Sequence, residues 1–150
     1  MKSKGMTMSQ YRALSEFRYQ IRKFLHFSEN AARTAGLEPQ QHQLLLAVKG
    51  YAGDGDGPTI GYLAERLKLR HHTTVELVDR MEERLMVYRR IGEEDRRRVI
   101  VGLTKNGEGL LDKLSNEHIT ELQQMGPGLI QALQQVIAGA RSGVPQIESK

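Results

Sequence analysis

The chain has 150 residues, a formal net charge of +4, 39% hydrophobic and only 5% aromatic residues, and neither Cys nor Trp. That length suits one ordinary domain, and so few aromatics point to a helical core of Leu, Ile, Val and Met rather than a β-sandwich. The lack of Cys excludes disulfides, thiolate metal sites and cysteine redox switches, and no apolar run approaches the roughly 20 residues of a membrane span or forms a signal-peptide core, so a soluble cytoplasmic protein is expected.

From residue 9 to about residue 35, Leu14, Phe17, Ile21, Phe24/Leu25, Ser28 and Ala31/Ala32 recur at three- and four-residue steps. This is one apolar stripe on a long helix. Gly36 suits the left-handed position after it. Glu38-Pro39 opens a second helix with proline in its first turn, and Leu44, Leu45, Ala47, Val48 and Tyr51 supply its apolar face. Residues 52–58, Ala-Gly-Asp-Gly-Asp-Gly-Pro, read as a flexible loop. Thr59 is placed to cap a short helix over residues 60–67. Arg70 or His71 opens the next helix, with Thr74/Val75, Val78, Met81/Glu82 and Leu85 on its buried side.

Residues 87–91 and 99–103 read as two strands around a turn centred on residues 93–97. Thr104 caps a long helix, which Gly126-Pro127-Gly128 is expected to end. A last helix then carries Leu129, Ile130, Leu133, Val136 and Ile137, and residues 141–150 are expected to be a disordered tail. The first and last helices present more apolar surface than one small domain covers. Residues 9–35 and 104–140 are therefore expected to form a two-fold homodimer interface, with packing inside the monomer as the alternative.

The sequence between residues 66 and 98 concentrates arginine, and Asp95-Arg96-Arg97-Arg98 lies between the two strands. A helix beside a two-stranded ribbon tipped with guanidinium groups suits double-stranded DNA: the helix fills the major groove while the tip reaches backbone or minor groove. With Val75, Val78, Met81 and Leu85 buried, the opposite stripe holds His72, Thr73, Glu76, Asp79/Arg80 and Glu83. The candidate DNA-binding set is Arg70, His71, His72, Thr73, Thr74, Glu76, Arg80, Arg96, Arg97 and Arg98. Glu76 would either accept from cytosine N4 or pair with Arg80 one turn on, the pairing being preferred. Strand alternation would put Arg96 and Arg98 on one face and Arg97 on the other.

His71 and His72 point about 100° apart on a helix and cannot chelate one ion as an i, i+4 pair would; His26, His42 and His118 are scattered. No metal ligand set is assigned, although a metal-sensing regulator of the same fold remains an alternative. Asp54-Gly55-Asp56-Gly57 imitates the start of a calcium loop, but Pro58 stands at the fifth position, so coordination would be incomplete. Gly107-Glu108-Gly109 follows a polar cap rather than a nucleotide-binding strand. Nothing assembles a catalytic triad or carboxylate pair, so neither an enzyme nor a cofactor is expected.

Residues 37–108 resemble the MarR family of winged helix-turn-helix transcription regulators. The resemblance rests on the order and spacing of Leu37-Glu38-Pro39-Gln40-Gln41, Thr59-Ile60-Gly61-Tyr62-Leu63-Ala64, Leu77-Val78-Asp79-Arg80-Met81-Glu82, Asp95-Arg96-Arg97 and Val101-Gly102-Leu103-Thr104-Lys105-Asn106-Gly107. It implies a mainly α fold with a two- to three-stranded β-wing, a winged helix-turn-helix over residues 37–103, and terminal dimerisation helices. It also implies that Arg97 enters the minor groove while Asp95 braces the wing by ion pairing. The function implied is a homodimeric, ligand-responsive repressor on a pseudo-palindromic operator. A small aromatic effector would bind between the dimerisation and DNA-binding regions, with Tyr11, Phe17, Tyr19, Phe24, Phe27, His42 and Tyr51 as candidate lining, each of which also fits a packing role. Three positions depart from the family pattern: Glu38 replaces a capping hydroxyl, Leu85 a glycine before the wing, and Glu76 a recognition-helix arginine. The acidic Glu76 motivates a further alternative, a winged-helix protein-interaction module without specific DNA binding.

Overall fold

The computed structural model describes residues 5–140. Its elements run α1 (Met8–Thr34), α2 (Pro39–Lys49), α3 (Ile60–Leu67), α4 (His71–Glu83), β1 (Val87–Ile91), β2 (Val99–Leu103) and α5 (Lys105–Ala140). They divide into two compact units, one of residues up to Ser28 and from His118 on, the other Glu29–Glu117. The expected disorder of residues 141–150 lies outside the described residues.

The central unit is built on the apolar positions that periodicity singles out. Leu44, Leu45 and Val48 of α2, Leu63 of α3, Leu77, Val78 and Met81 of α4, and Val87 and Val101 of the ribbon form one buried cluster. Ala32 at the end of α1 and Leu111 and Leu114 early in α5 complete it. Each large aliphatic side chain so buried contributes roughly 1.5–3 kcal/mol.

Side-chain caps start three of the helices. Ahead of α1, Thr7 Oγ1 accepts from the Gln10 N–H at 3.1 Å. Thr59 Oγ1 accepts from the Tyr62 N–H at 3.2 Å. Thr104 Oγ1 accepts from the Gly107 N–H at 3.1 Å and donates to the Leu85 carbonyl at 2.6 Å, tying α5 to the turn before β1. Gly107 passes so close to that turn that a Cβ would stand 2.1 Å from the Met86 carbonyl oxygen. At α2, where Glu38 replaces the hydroxyl, Gln41 Oε1 accepts from the Glu38 N–H at 3.0 Å.

Gly36, Lys68 and Leu85, which follow α1, α3 and α4, have φ of 84°, 54° and 61°. At Leu85 the bonds Leu85 N–H to Glu82 O and Met86 N–H to Met81 O, both 3.0 Å, close a Schellman motif. The expectation that Leu85 lies on the buried side of α4 is thereby overturned: the helix ends at Glu83 and Leu85 is 65% exposed. A left-handed residue with a Cβ costs about 1–2 kcal/mol. Leu77 takes the inward place and Val75 is half-buried.

The strands pair antiparallel from Val87↔Leu103 to Ile91↔Val99. The Val101 N–H also donates to the Pro58 carbonyl at 3.0 Å, so the loop before α3 lies along β2.

In the terminal unit, His118 and Ser28 are buried, with Nε2 and Oγ 2.8 Å apart. Phe24 and Phe27 meet the imidazole edge-on at ring centroid distances of 6.0 and 5.3 Å. Gly126-Pro127-Gly128 does not end a helix: α5 is one helix to Ala140 with Pro127 inside it. Proline removes one backbone bond and clashes with the preceding turn, but Met125 and Ala132 on either side are buried. Burial of that face outweighs the local preference. Tyr11, Leu14, Tyr19 and Leu25 of α1 and Ile119, Ile130, Leu133 and Ile137 of α5 each remain more than 40% exposed.

Candidate nucleic-acid interface

α4 buries Thr74, Leu77, Val78 and Met81, an i, i+3, i+4, i+7 stripe. Its outward side carries His71, His72, Glu76 and Arg80, with Thr73 half-buried and Arg70 exposed at the N-cap. Thr74 was expected among the DNA contacts and is removed from them. It is fully buried and its hydroxyl donates to the Arg70 carbonyl at 2.9 Å, satisfied inside the helix. The expected Glu76–Arg80 ion pair does not form among the described residues. The acidic residues that are neutralised lie elsewhere on the helix: Arg89 of β1 donates through Nη1 to Glu82 at 2.9 Å and through Nη2 to Asp79 at 2.5 Å. This link joins the ribbon to α4 and leaves Arg80, among the described residues, as an uncommitted cation on the outer face.

Arg96, Arg97 and Arg98 are all exposed. They lie in the turn and not in β2, which begins at Val99, so strand alternation does not assign their faces. The turn is closed by the Arg98 N–H donating to the Asp95 carbonyl at 3.1 Å. Asp95 also engages Arg97 from both sides: Oδ1 accepts from the Arg97 backbone N–H at 3.0 Å and from Nε at 3.1 Å, and Oδ2 accepts from Nη2 at 3.1 Å. The Arg97 side-chain hydrogen bond, then its backbone N–H and the nearby Arg98 charge, hold the Asp95 carboxyl below the ordinary aspartate range; Asp95 in turn raises Arg97. The expected pairing of Asp95 is therefore with the arginine expected to enter the groove.

The anchor that sequence reasoning missed is Asp56. Its carboxylate accepts from the backbone N–H groups of Glu93 and Glu94, each at 3.0 Å, and its carbonyl accepts from Arg90 Nη2. Gly92 allows this approach, since a Cβ there would stand 2.5 Å from the Asp95 carbonyl and 2.8 Å from the Asp56 carboxylate. The Asp-Gly-Asp-Gly segment, which imitates a calcium loop, thus serves as the post to which the wing turn is fixed. Its composition signalled a carboxylate in a tight turn; a partner 37 residues away carried no local signal.

Among the described residues no group of three or more His, Asp or Glu side chains is arranged to hold a metal ion, and no helix is long and apolar enough to cross a membrane. Of the candidate effector-lining residues, Phe24 and Phe27 pack on His118, His42 is buried, and Tyr51 stacks edge-on against Tyr62. Tyr11 and Tyr19 are exposed and Phe17 is half-buried.

A model of the MarR family matches residues 35–98. No curated protein sequence matches the chain. Among solved structures, AbsC, a MarR family transcriptional regulator from Streptomyces coelicolor, is similar with a TM-score of 0.69 at 20% identity, over 93% of this chain and 99% of that one. An S. aureus MepR mutant bound to an oligodeoxyribonucleotide gives a TM-score of 0.61 at 20% identity, covering 84% of this chain and 91% of its own. CouR from Rhodococcus jostii RHA1, bound to p-coumaroyl-CoA, gives 0.63 at 22% identity, over 83% of this chain and 87% of that one. These likenesses bear on the fold.

Proposed function

We propose that the protein, whose residues 35–98 match a model of the MarR family, is a homodimeric, sequence-specific DNA-binding transcription regulator acting as a ligand-responsive repressor. One observation carries the reading. The exposed face of α4 and an arginine-tipped ribbon occur in one unit, joined through Arg89 to Asp79 and Glu82.

In this reading the early part of α4 enters the major groove. His72 and Thr73 donate to base edges or phosphates, Glu76 faces the bases, and Arg80, with Arg70 and His71 at the start of the helix, meets the backbone. Arg96, Arg97 and Arg98 reach the adjacent minor groove and phosphates, Asp95 bracing them. The uncovered aliphatic and tyrosine side chains of α1 and α5 support a second copy as their cover. A two-fold dimer would address half-sites about one helical turn, ~34 Å, apart on a pseudo-palindromic operator. The oligonucleotide in the MepR complex supports DNA as partner, and the ligand in CouR supports a small aromatic effector. The reading assigns no catalytic step, and a regulator of this kind works in the cytoplasm beside DNA.

Selection of duplexes from a random pool at fixed salt, with light scattering of the free protein, tests the proposal. A pseudo-palindromic consensus and a dimeric mass are expected. A monomer, or a pool without enrichment, overturns it.

A further inference from the structure

We infer that Glu76 selects a cytosine in each half-site, accepting from its N4 amino group in the major groove and rejecting the other three bases. The inference deepens the DNA-binding reading above and rests on it. The buried stripe of α4 is Thr74, Leu77, Val78 and Met81. At about 100° per residue, Glu76 stands about 150° round the helix from the centre of that stripe. It is exposed and lies within the first two turns, the part of a docked helix that meets base edges. Of the other carboxylates on α4, Asp79 and Glu82 are neutralised by Arg89, and Glu83 ends the helix, away from the docking end. Glu76 has neither a hydrogen bond nor an ion pair among the described residues, although Arg80 follows one turn on.

A carboxylate turned toward a polyanion weakens binding to every sequence unless a donor meets it. It has only acceptor oxygens to offer. In the major groove guanine presents N7 and O6 and thymine O4, all acceptors, and adenine sets its N6 donor beside the N7 acceptor. Cytosine presents the N4 donor with no acceptor beside it on the same base. It is the base that fits, through a charge-assisted bond. Against a guanine or thymine edge the carboxylate would be desolvated and unpaired, so discrimination comes from repulsion as well as attraction. One turn before and one turn after Glu76 stand His72 and Arg80, both exposed. The outward face thus runs donor, acceptor, donor, and the two flanking donors suit guanine acceptors or phosphates.

The test uses full-length protein and duplexes selected from a random pool at fixed salt. The consensus should hold a cytosine at one fixed position of each half-site. In one half-site that cytosine is then replaced by the 2-pyrimidinone nucleoside, which lacks the N4 amino group and still pairs with guanine. The replacement should weaken the wild type by roughly 5- to 100-fold, the range of one mismatched base pair. It should leave Glu76→Ala nearly indifferent, a coupling that a merely structural role would not produce. Glu76→Gln should turn the selected base to adenine, since an amide meets N6 and N7 together. An equal loss in wild type and Glu76→Ala, or an unchanged consensus for Glu76→Gln, overturns the inference. So does a Glu76→Ala protein that binds both duplexes more tightly by the same factor, because Glu76 then only repels phosphates. The wild-type comparison needs no variant: no loss on removing the amino group overturns the inference by itself. An enriched palindrome without a fixed cytosine overturns this inference alone, whereas a pool without enrichment overturns the DNA-binding reading with it.

Discussion

Asp95 grips Arg97 at three points, through the backbone N–H at 3.0 Å and through Nε and Nη2 at 3.1 Å each. The arginine proposed to enter a groove is thus already held by a carboxylate in the free protein. In the proposed complex, DNA would displace that carboxylate or accept the arginine together with it. Asp95→Asn keeps an oxygen for the backbone N–H but removes the charge. It should tighten duplex binding about two- to fivefold at low salt, in the range expected for an exposed ion pair. The salt slope should steepen as well, since a released cation neutralises one more phosphate. Fluorescence anisotropy across a salt series reads both; weaker binding would make Asp95 solely a brace.

The same grip has a defined pH dependence. The folded-state pKa of Asp95 lies below its ordinary value, so its contribution is fully present above the unfolded pKa and is lost as pH falls through the folded one. The wing turn should therefore be unchanged across neutral pH and loosen only in acid below the ordinary aspartate range. An NMR pH titration of the Arg97 amide checks this; a midpoint near neutrality contradicts it.

Removing the cations should act in the opposite sense to Asp95→Asn. Arg97→Ala is expected to weaken operator binding while leaving thermal unfolding nearly unchanged, because the side chain is 91% exposed. Each phosphate that is no longer neutralised should flatten the log–log salt slope by about 0.9. Unaltered affinity and slope in the double variant Arg96→Ala/Arg97→Ala would exclude the wing from the interface.

Arg89 joins Asp79 and Glu82 to β1, and its side chain is 25% exposed against 53% and 44% for its partners. Arg89→Ala strips two charged hydrogen bonds and leaves the Asp79 and Glu82 carboxylates without their shared cation. After discounting for solvent screening, a loss of about 1 kcal/mol is expected in urea unfolding. DNA affinity should fall further than stability does, since α4 loses its link to the wing and exposes negative charge. Equal affinity for the variant would show that the link does not position α4.

Pro127 offers a test of α5. Pro127→Ala restores a backbone N–H and relieves the clash with the preceding turn, which together cost up to about 3 kcal/mol in a helix interior. Thermal unfolding should move upward. A lower melting temperature would mean that Pro127 shapes α5 for contacts that alanine cannot reproduce.

Local signals in the sequence located most of the elements. The stripes of α1 and α2, the caps at Thr59 and Thr104, the left-handed Gly36 and both strand limits depend on contacts within a few residues, and these can be read along the chain. The arginine run and the outward face of α4 follow from the same short-range patterns. Other features were decided by packing. Thr74 turns inward because Leu77, Val78 and Met81 set the rotation of α4 against the core. Leu85 is left-handed in the turn that leads from α4 into β1, and α5 crosses Pro127 with Met125 and Ala132 of the same helix buried. Asp56 became the support of the wing only once the 52–58 loop and the hairpin were folded together, 37 residues apart in sequence. Short-range periodicity determines which segments are helix or strand. Which carboxylate meets which cation or amide depends on non-local packing, and that is where the tertiary structure supplied the answer.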